Sequence, residues 1–262
     1  MVKLIVDIIK EEERALVKAS ERLGITLELV RVDGLDLSAD APPGVYLVRT
    51  LSHNRGVIAA AHVEASGAVA VNGWRALAAG WNKAVALAML RAEGLPIPKT
   101  RLAPAAFEGG EAIIKPATGS WGRKVALVKS AEDAVAVMKG ADPEDVYLLQ
   151  ERIGDGTDIR AFVIGDRVVA AMIRRPPPGD WRSNAARGGA TEPFKPTGEV
   201  EELAVKAAGA LGARYAGVDI LIGDGYYVGE VNVIPEFKAV SRATGVDVAE
   251  ELVKYAAELE KR

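Results

Sequence analysis

Cysteine is absent from the 262 residues, so the chain offers no disulfide, no zinc–thiolate centre and no thiol nucleophile. Histidine is nearly absent as well: His53 and His62 are the only two, and no Ser-His-Asp arrangement is visible, which argues against a hydrolase triad. His62 lies in an Ala-rich helical stretch and reads as a packing or surface residue. A single Gln and five Asn fit the avoidance of thermolabile amides. No apolar run reaches the length of a membrane-crossing helix, and Met1-Val-Lys-Leu-Ile enters a strand-like pattern where a signal peptide would place its apolar core; a cytoplasmic protein is expected. The 33 basic and 36 acidic residues leave a net charge of -3, so the chain as a whole has no field to draw nucleic acid or a membrane surface. Any charge-driven recognition must be local.

What is present is a composition 49% hydrophobic, enough for a sizeable core. The N-terminal part alternates between strand and helix: strands over Val2–Ile9, Thr26–Val32, Val45–Arg49 and Ala68–Val71, helices over Glu11–Leu23 and Arg55–Ser66. That alternation predicts a parallel sheet covered by helices. A further helix, Trp81–Glu93, is stopped by Gly94-Leu-Pro-Ile-Pro98. Paired strands then take over: Ala112–Ile114 with Val125–Val128, a helix Ala131–Lys139, and a strand Val146–Gln150. Ile159–Ile164 and Arg167–Ile173 are joined by the tight-turn pair Gly165-Asp166, and Val218–Val231 forms a hairpin turning at Gly223-Asp-Gly225. Helices Glu199–Leu211 and Val248–Lys261 and a long polar loop, Pro176–Gly189, complete the pattern. The expected organisation is α/β, with an N-terminal domain at 1–80, a central lobe at 81–150 and a C-terminal lobe at 151–262.

Four segments carry chemistry. Between two strands, Lys115-Pro-Ala-Thr-Gly-Ser-Trp-Gly-Arg-Lys124 is too long and too cationic for a simple reversal. Either its charges are solvated and Trp121 covers core, or the backbone N–H groups of Gly119 to Gly122 lie on a polyphosphate that Lys115 neutralises. The second segment joins Asp219, in Gly217-Val-Asp219, to Glu230 and Asn232, whose period-two spacing puts both on one face of a strand. Unpaired charge in an apolar strand is costly, which favours a magnesium site built from these three hard oxygen donors over a pair of surface charges. The third, Trp181-Arg-Ser-Asn-Ala-Ala-Arg-Gly-Gly189 with Arg174, Arg175 and Lys195, is more than a solvated basic loop needs, and its arginines suit a transferring phosphoryl group or a carboxylate. In the fourth, Gln150-Glu-Arg-Ile153 ends an apolar strand and could offer backbone groups to an adenine edge.

Taken together, Lys83, the loop after Lys115, the Gln150-Glu151 strand end, Asp158, Arg160, Arg187 and the trio Asp219, Glu230, Asn232 resemble the ATP-grasp superfamily across the whole chain. The resemblance is closest to the branch holding RimK-type glutamate ligases and the LysX/ArgX-type ligases of carrier-protein-dependent lysine and arginine biosynthesis. It rests on KPATGSWGR at 115–123, NAARGG at 184–189, GEVNVIPEFKAVSRATGVD at 229–247 and Arg49-Thr-Leu-Ser-His-Asn-Arg55, which is similar to that family's N-terminal substrate segment.

The resemblance implies an ATP-grasp fold: an N-terminal α/β domain and two α+β lobes clasping ATP. It implies that Lys83 and Lys115 contact ATP phosphates while Thr118, Gly119, Ser120, Trp121, Gly122 and Arg123 close over them. Gln150, Glu151 and Ile153 would line the adenine pocket, Asp158 would lie near the ribose, and Asp219, Glu230 and Asn232 would hold Mg2+. Arg160, Asn184 and Arg187 would face the reacting carboxyl, and Arg49, Ser52, Arg55, Phe237 and Lys238 would hold an acidic amino acid. The implied reaction phosphorylates a carboxylate with ATP and lets an amine attack the acyl phosphate. Phosphoryl transfer of that kind needs positioning and charge neutralisation, not a protein nucleophile. The implied partner is a small acidic LysW-type carrier protein whose C-terminal glutamate accepts glutamate or α-aminoadipate, docking on basic residues Arg174, Arg175, Arg182 and Lys195; a homo-oligomer is also expected. The alternative is a RimK-like ligase adding glutamate to a small-molecule cofactor or a protein tail. Lysine-type members carry Thr and Asn where this chain has Ile234 and Ala239, which leaves the amino acid open.

Overall fold

A computed structural model describes residues 1–103, 110–119, 124–142, 144–179 and 189–261. The N-terminal sheet is parallel, in the order β2-β1-β3-β4, from β1 (Val2–Val6), β2 (Leu27–Arg31), β3 (Val45–Arg49) and β4 (Val69–Val71). All five residues of β1 and of β3 are buried, as parallel strands covered on both faces must be. The crossovers are α1 (Glu11–Leu23) and α2 (His53–Ala65). Helix α2 begins two residues before the predicted Arg55, because the side chain of Ser52 accepts the N–H of Arg55 and caps it. Gly56 in its first turn is required by packing: a Cβ there would stand 2.5 Å from Thr50 Oγ1. Sequence reading starts one helix at Trp81, but the structure has two, α3 (Trp74–Trp81) and α4 (Lys83–Ala92). They break at Asn82, whose side chain caps α4 by accepting from Ala84 N (3.0 Å) and Val85 N (3.3 Å).

The central sheet is antiparallel, in the order β5-β8-β6-β7, from β5 (Thr100–Leu102), β6 (Ala112–Pro116), β7 (Ala126–Val128) and β8 (Tyr147–Glu151), with α5 (Ala131–Met138) beside it. The third sheet runs β11-β10-β9-β12-β13. Its members are β9 (Asp158–Ile164), β10 (Arg167–Arg175), β11 (Ala190–Pro193), β12 (Tyr215–Ile222) and β13 (Tyr226–Asn232). The Gly165-Asp166 hairpin pairs Ile164 with Arg167, and Gly165 takes φ +62° to make the turn. Helix α6 (Gly198–Ala210) covers this sheet, followed by α7 (Lys238–Thr244) and α8 (Val248–Glu260). α8 packs on α1 and β3, so the C-terminal helix completes the core of the N-terminal sheet with Val248, Leu252, Val253 and Ala256. Asn72, fully buried after β4, fixes the first sheet to the third. It accepts from the N–H of Arg214 (2.7 Å) and Tyr215 (3.1 Å) and donates to the carbonyls of Tyr215 and Val233 (2.7 Å each).

Candidate active site

The site lies where α4, β6, β12 and β13 meet. The α3–α4 break is stitched to the strand end after Lys115: Asn82 bridges Thr118, and Lys83 N donates to Ala117 O at 2.7 Å. This aims the first side chain of α4, Lys83, along the cleft, where Nζ donates to Gly119 O (2.6 Å) and stands 3.5 Å from Glu230 Oε1. Lys115 comes in from β6, its Nζ donating to Gln150 Oε1 at 2.8 Å. Loss of hydration pushes the Lys115 ammonium down to about 8; nearby Glu230 and Asp219 oppose that shift and Lys83 adds to it. Two cations and two carboxylates from three segments far apart in sequence therefore act on one another.

The β12–β13 register sets Asp219 opposite Glu230 and Gly217 opposite Asn232, with an irregularity just past Asp219. Asn232 Nδ2 donates to Gly217 O at 3.4 Å. Asp219, however, is not a bare ligand. Arg160 grips both its oxygens, and Arg174 Nη2 reaches Oδ1 at 3.0 Å. Burial alone would raise the Asp219 carboxyl, but Arg160 and Arg174 hold it below the usual range. Arg174 also donates to Asp158 Oδ1 at 2.6 Å, so Asp158 is held against a buried guanidinium. The docking role expected of Arg174 is overturned for the same reason: it is buried between two aspartates that keep it charged despite burial. Among the described residues no three His, Cys, Asp or Glu side chains form a metal-holding group. The donor set Asp219, Glu230 and Asn232 is all oxygen and sparse, which fits Mg2+, with Glu230 the most open of the carboxylates.

Gln150 is buried and spends its amide inside the protein, accepting from Lys115 and donating to Thr100 Oγ1 at 2.9 Å. Glu151 accepts the N–H of Lys99 at 2.6 Å, while Ile153 lines a cleft of about 540 Å³ with Arg152, Ile173, Arg175 and Ile222. Ser120, Trp121, Gly122, Arg123, Arg182, Asn184 and Arg187 lie outside the described residues.

The residues expected to hold an amino acid divide into two groups. Arg49 is buried: its side chain is 4% exposed, paired with Glu13 (3.2 Å), donating to Pro235 O (2.7 Å) and lying over the Phe237 ring (5.4 Å). It is a strut between β3, α1 and the chain after β13, with Nε committed to Glu13 and Nη1 to Pro235. Phe237 is equally buried, edge-on to Phe162 at 6.1 Å. Ser52, Arg55 and Lys238 remain accessible, the last standing 3.8 Å from Glu11. Sequence reading missed Asp7, a buried carboxylate at the carboxyl end of β1 that accepts the N–H groups of Leu51 (2.8 Å) and Ser52 (2.9 Å) and so fixes the start of α2. Its signal was there: an acid directly after an apolar strand, at the edge where parallel α/β sheets bind ligands.

The RimK-like ATP-grasp domain family matches residues 81–256, and the chain belongs to that family. It is 31% identical to the "Glutamate--LysW ligase ArgX" of Sulfolobus acidocaldarius over 97% of each chain. It is also 31% identical to the "Alpha-aminoadipate--LysW ligase LysX" of Saccharolobus solfataricus, over 96% of this chain and 98% of that one. A solved structure of the ATP-grasp ligase PsnB, complexed with minimal precursor, Mg and ADP, superposes with a TM-score of 0.78 at 22% identity, covering 100% of this chain and 98% of that one. The three sheets thus form an ATP-grasp fold, and the protein is an ATP-grasp ligase that forms carbon–nitrogen bonds.

Proposed function

We propose that this ligase joins the α-amino group of glutamate or α-aminoadipate to the C-terminal glutamate γ-carboxyl of a LysW-type carrier protein. The near full-length similarity to both kinds of LysW ligase supports this reading. The observation that carries the chemistry is the convergence of Lys83, Lys115, Glu230 and Asp219 at one cleft. Lys83 and Lys115 would neutralise the triphosphate of ATP, with Thr118 and Gly119 at the mouth of the closing loop. Glu230, Asn232 and Asp219 would hold Mg2+, which when bound offsets charge on the phosphoryl group in transfer. Arg160, fixed on Asp219, presents its remaining N–H donors to the carboxylate that is phosphorylated, and Arg174 keeps Asp219 and Asp158 in place behind it. Ser52, Arg55 and Lys238 would receive the amino acid. The segments 1–80, 81–150 and 151–262 would be the N-terminal α/β domain, the central ATP-grasp lobe and the C-terminal ATP-grasp lobe that carries the metal and substrate sites.

The test is ADP release with ATP, Mg2+, a carrier ending in glutamate, and either amino acid. Product formation that needs all components is expected. Equal ADP release with free glutamate oligomers in place of the carrier would transfer the assignment to a ligase for small molecules or protein tails.

A further inference from the structure

His53 has no part in the reading above, yet its surroundings are unlike those of a packing residue. It is the first residue of α2, directly behind the Leu51–Ser52 turn held by Asp7. Its ring stacks on Trp81 at 3.7 Å with a 25° tilt, and Trp81 ends α3 two residues before Lys83. The charged groups that act on it are Lys83 from α4 and Glu230 from β13, the same two that face each other across the cleft. Nδ1 is buried and has no hydrogen-bond partner among the described residues. An apolar ring would stack on Trp81 as well, without the cost of an unpaired buried nitrogen. The imidazole is therefore fixed at the junction between the Ser52–Arg55 segment and the phosphate-facing lysine.

We propose that His53 takes the proton from the incoming amino group as the carbon–nitrogen bond forms. The inference rests on the acyl-phosphate reading. The nucleophile arrives as an ammonium, which has no lone pair to attack with. Transfer of one proton to the imidazole frees that pair. The nitrogen then bonds to the acyl carbon, the bond from that carbon to the phosphate oxygen breaks, and phosphate leaves with the electron pair and takes up the second amine proton. Burial, then Lys83, holds the imidazole down to about 4, with Glu230 opposing, so the ring is neutral at working pH. Triphosphate against Lys83 offsets that cation and raises the ring's proton affinity, so the base strengthens only once the nucleotide is in place.

Hydroxylamine, uncharged near neutral pH, attacks an acyl phosphate without needing a base. The experiment compares wild type with His53→Gln and His53→Asn, using ATP, Mg2+ and carrier with either glutamate or hydroxylamine as nucleophile. The expected result is a fall in kcat for amide formation of about a hundredfold or more, the usual worth of a general base. Hydroxamate formation and the KM for ATP should stay within about threefold, and the amide deficit should shrink as pH approaches the ammonium's own pKa. Equal loss of both products, which is the signature of a structural role, overturns the proposal, as does unchanged amide formation. Wild type that makes no hydroxamate overturns the acyl-phosphate reading and this proposal with it.

Discussion

Lys83 Nζ and Glu230 Oε1 stand 3.5 Å apart, joining the N-terminus of α4 to the inner face of β13. The pair ties the cation proposed to face phosphate to the acid proposed to face the metal, so the site is partly assembled by its own charges. Ligand binding must then exchange this contact for better ones. Glu230→Gln is expected to lower turnover by at least about a hundredfold with little change in Tm, since this carboxylate is a third exposed. Asp219→Asn should lose activity and stability together, at a cost of about 3–5 kcal/mol, because Arg160 is left without its buried counter-charge and Arg174 keeps only Asp158. ADP release and thermal melting of both variants separate the two effects.

Lys115 sets a pH dependence. Its ammonium loses the proton near 8 in the folded chain against an ordinary 10.5, so between those values the native state holds fewer protons than the unfolded one. Stability then rises as pH climbs through that window, while the charge available to hold phosphate is lost. ADP affinity is expected to fall about tenfold from pH 7 to pH 9. Lys115→Met should bind weakly with a flat pH profile, and calorimetric titration across that range checks both.

Arg49→Ala should act on the fold more than on amino-acid affinity. It leaves Glu13 buried without its partner and frees the carbonyl of Pro235, an expected loss of about 3–5 kcal/mol. A variant with unchanged Tm and a sharply raised amino-acid KM would contradict the strut.

The amino-acid choice is expected to be loose. A methylene distinguishes glutamate from α-aminoadipate and is worth only about 1–3 kcal/mol to a discriminating pocket. Ile234 is partly buried in the main core against the first turn of α2. The ratio of kcat/KM for the two amino acids on one carrier should stay below about a thousandfold.

The sequence made local geometry legible and left tertiary partners hidden. Period-two spacing of Glu230 and Asn232 gave their shared face, and Gly165-Asp166 gave its hairpin, because both are decided by neighbouring residues. The short strand β5 follows Pro98 without an alternating pattern, and all four residues of β11 are exposed, so neither carried a burial signal. The division of α3 from α4 hinged on a single capping side chain, Asn82. Arg49–Glu13 and Arg174–Asp219 were out of reach for another reason: each pair joins segments at least 36 positions apart, and a buried arginine looks like an exposed one until the fold supplies its acid.

Asn72 precedes Gly73, and an amide followed by glycine is the dipeptide in which the backbone nitrogen most readily attacks the side chain and converts it to aspartate. In the folded chain the amide is sealed and all of its hydrogen-bonding capacity is in use. In the unfolded chain nothing restrains it. An aspartate there would turn a carboxylate oxygen toward the carbonyls of Tyr215 and Val233, replacing two attractions with two repulsions. The residue therefore acts as a clock on time spent unfolded: the longer the chain is held denatured by heat, the smaller the fraction that regains its native form, and peptide mass spectrometry of the failed fraction would find the change at Asn72.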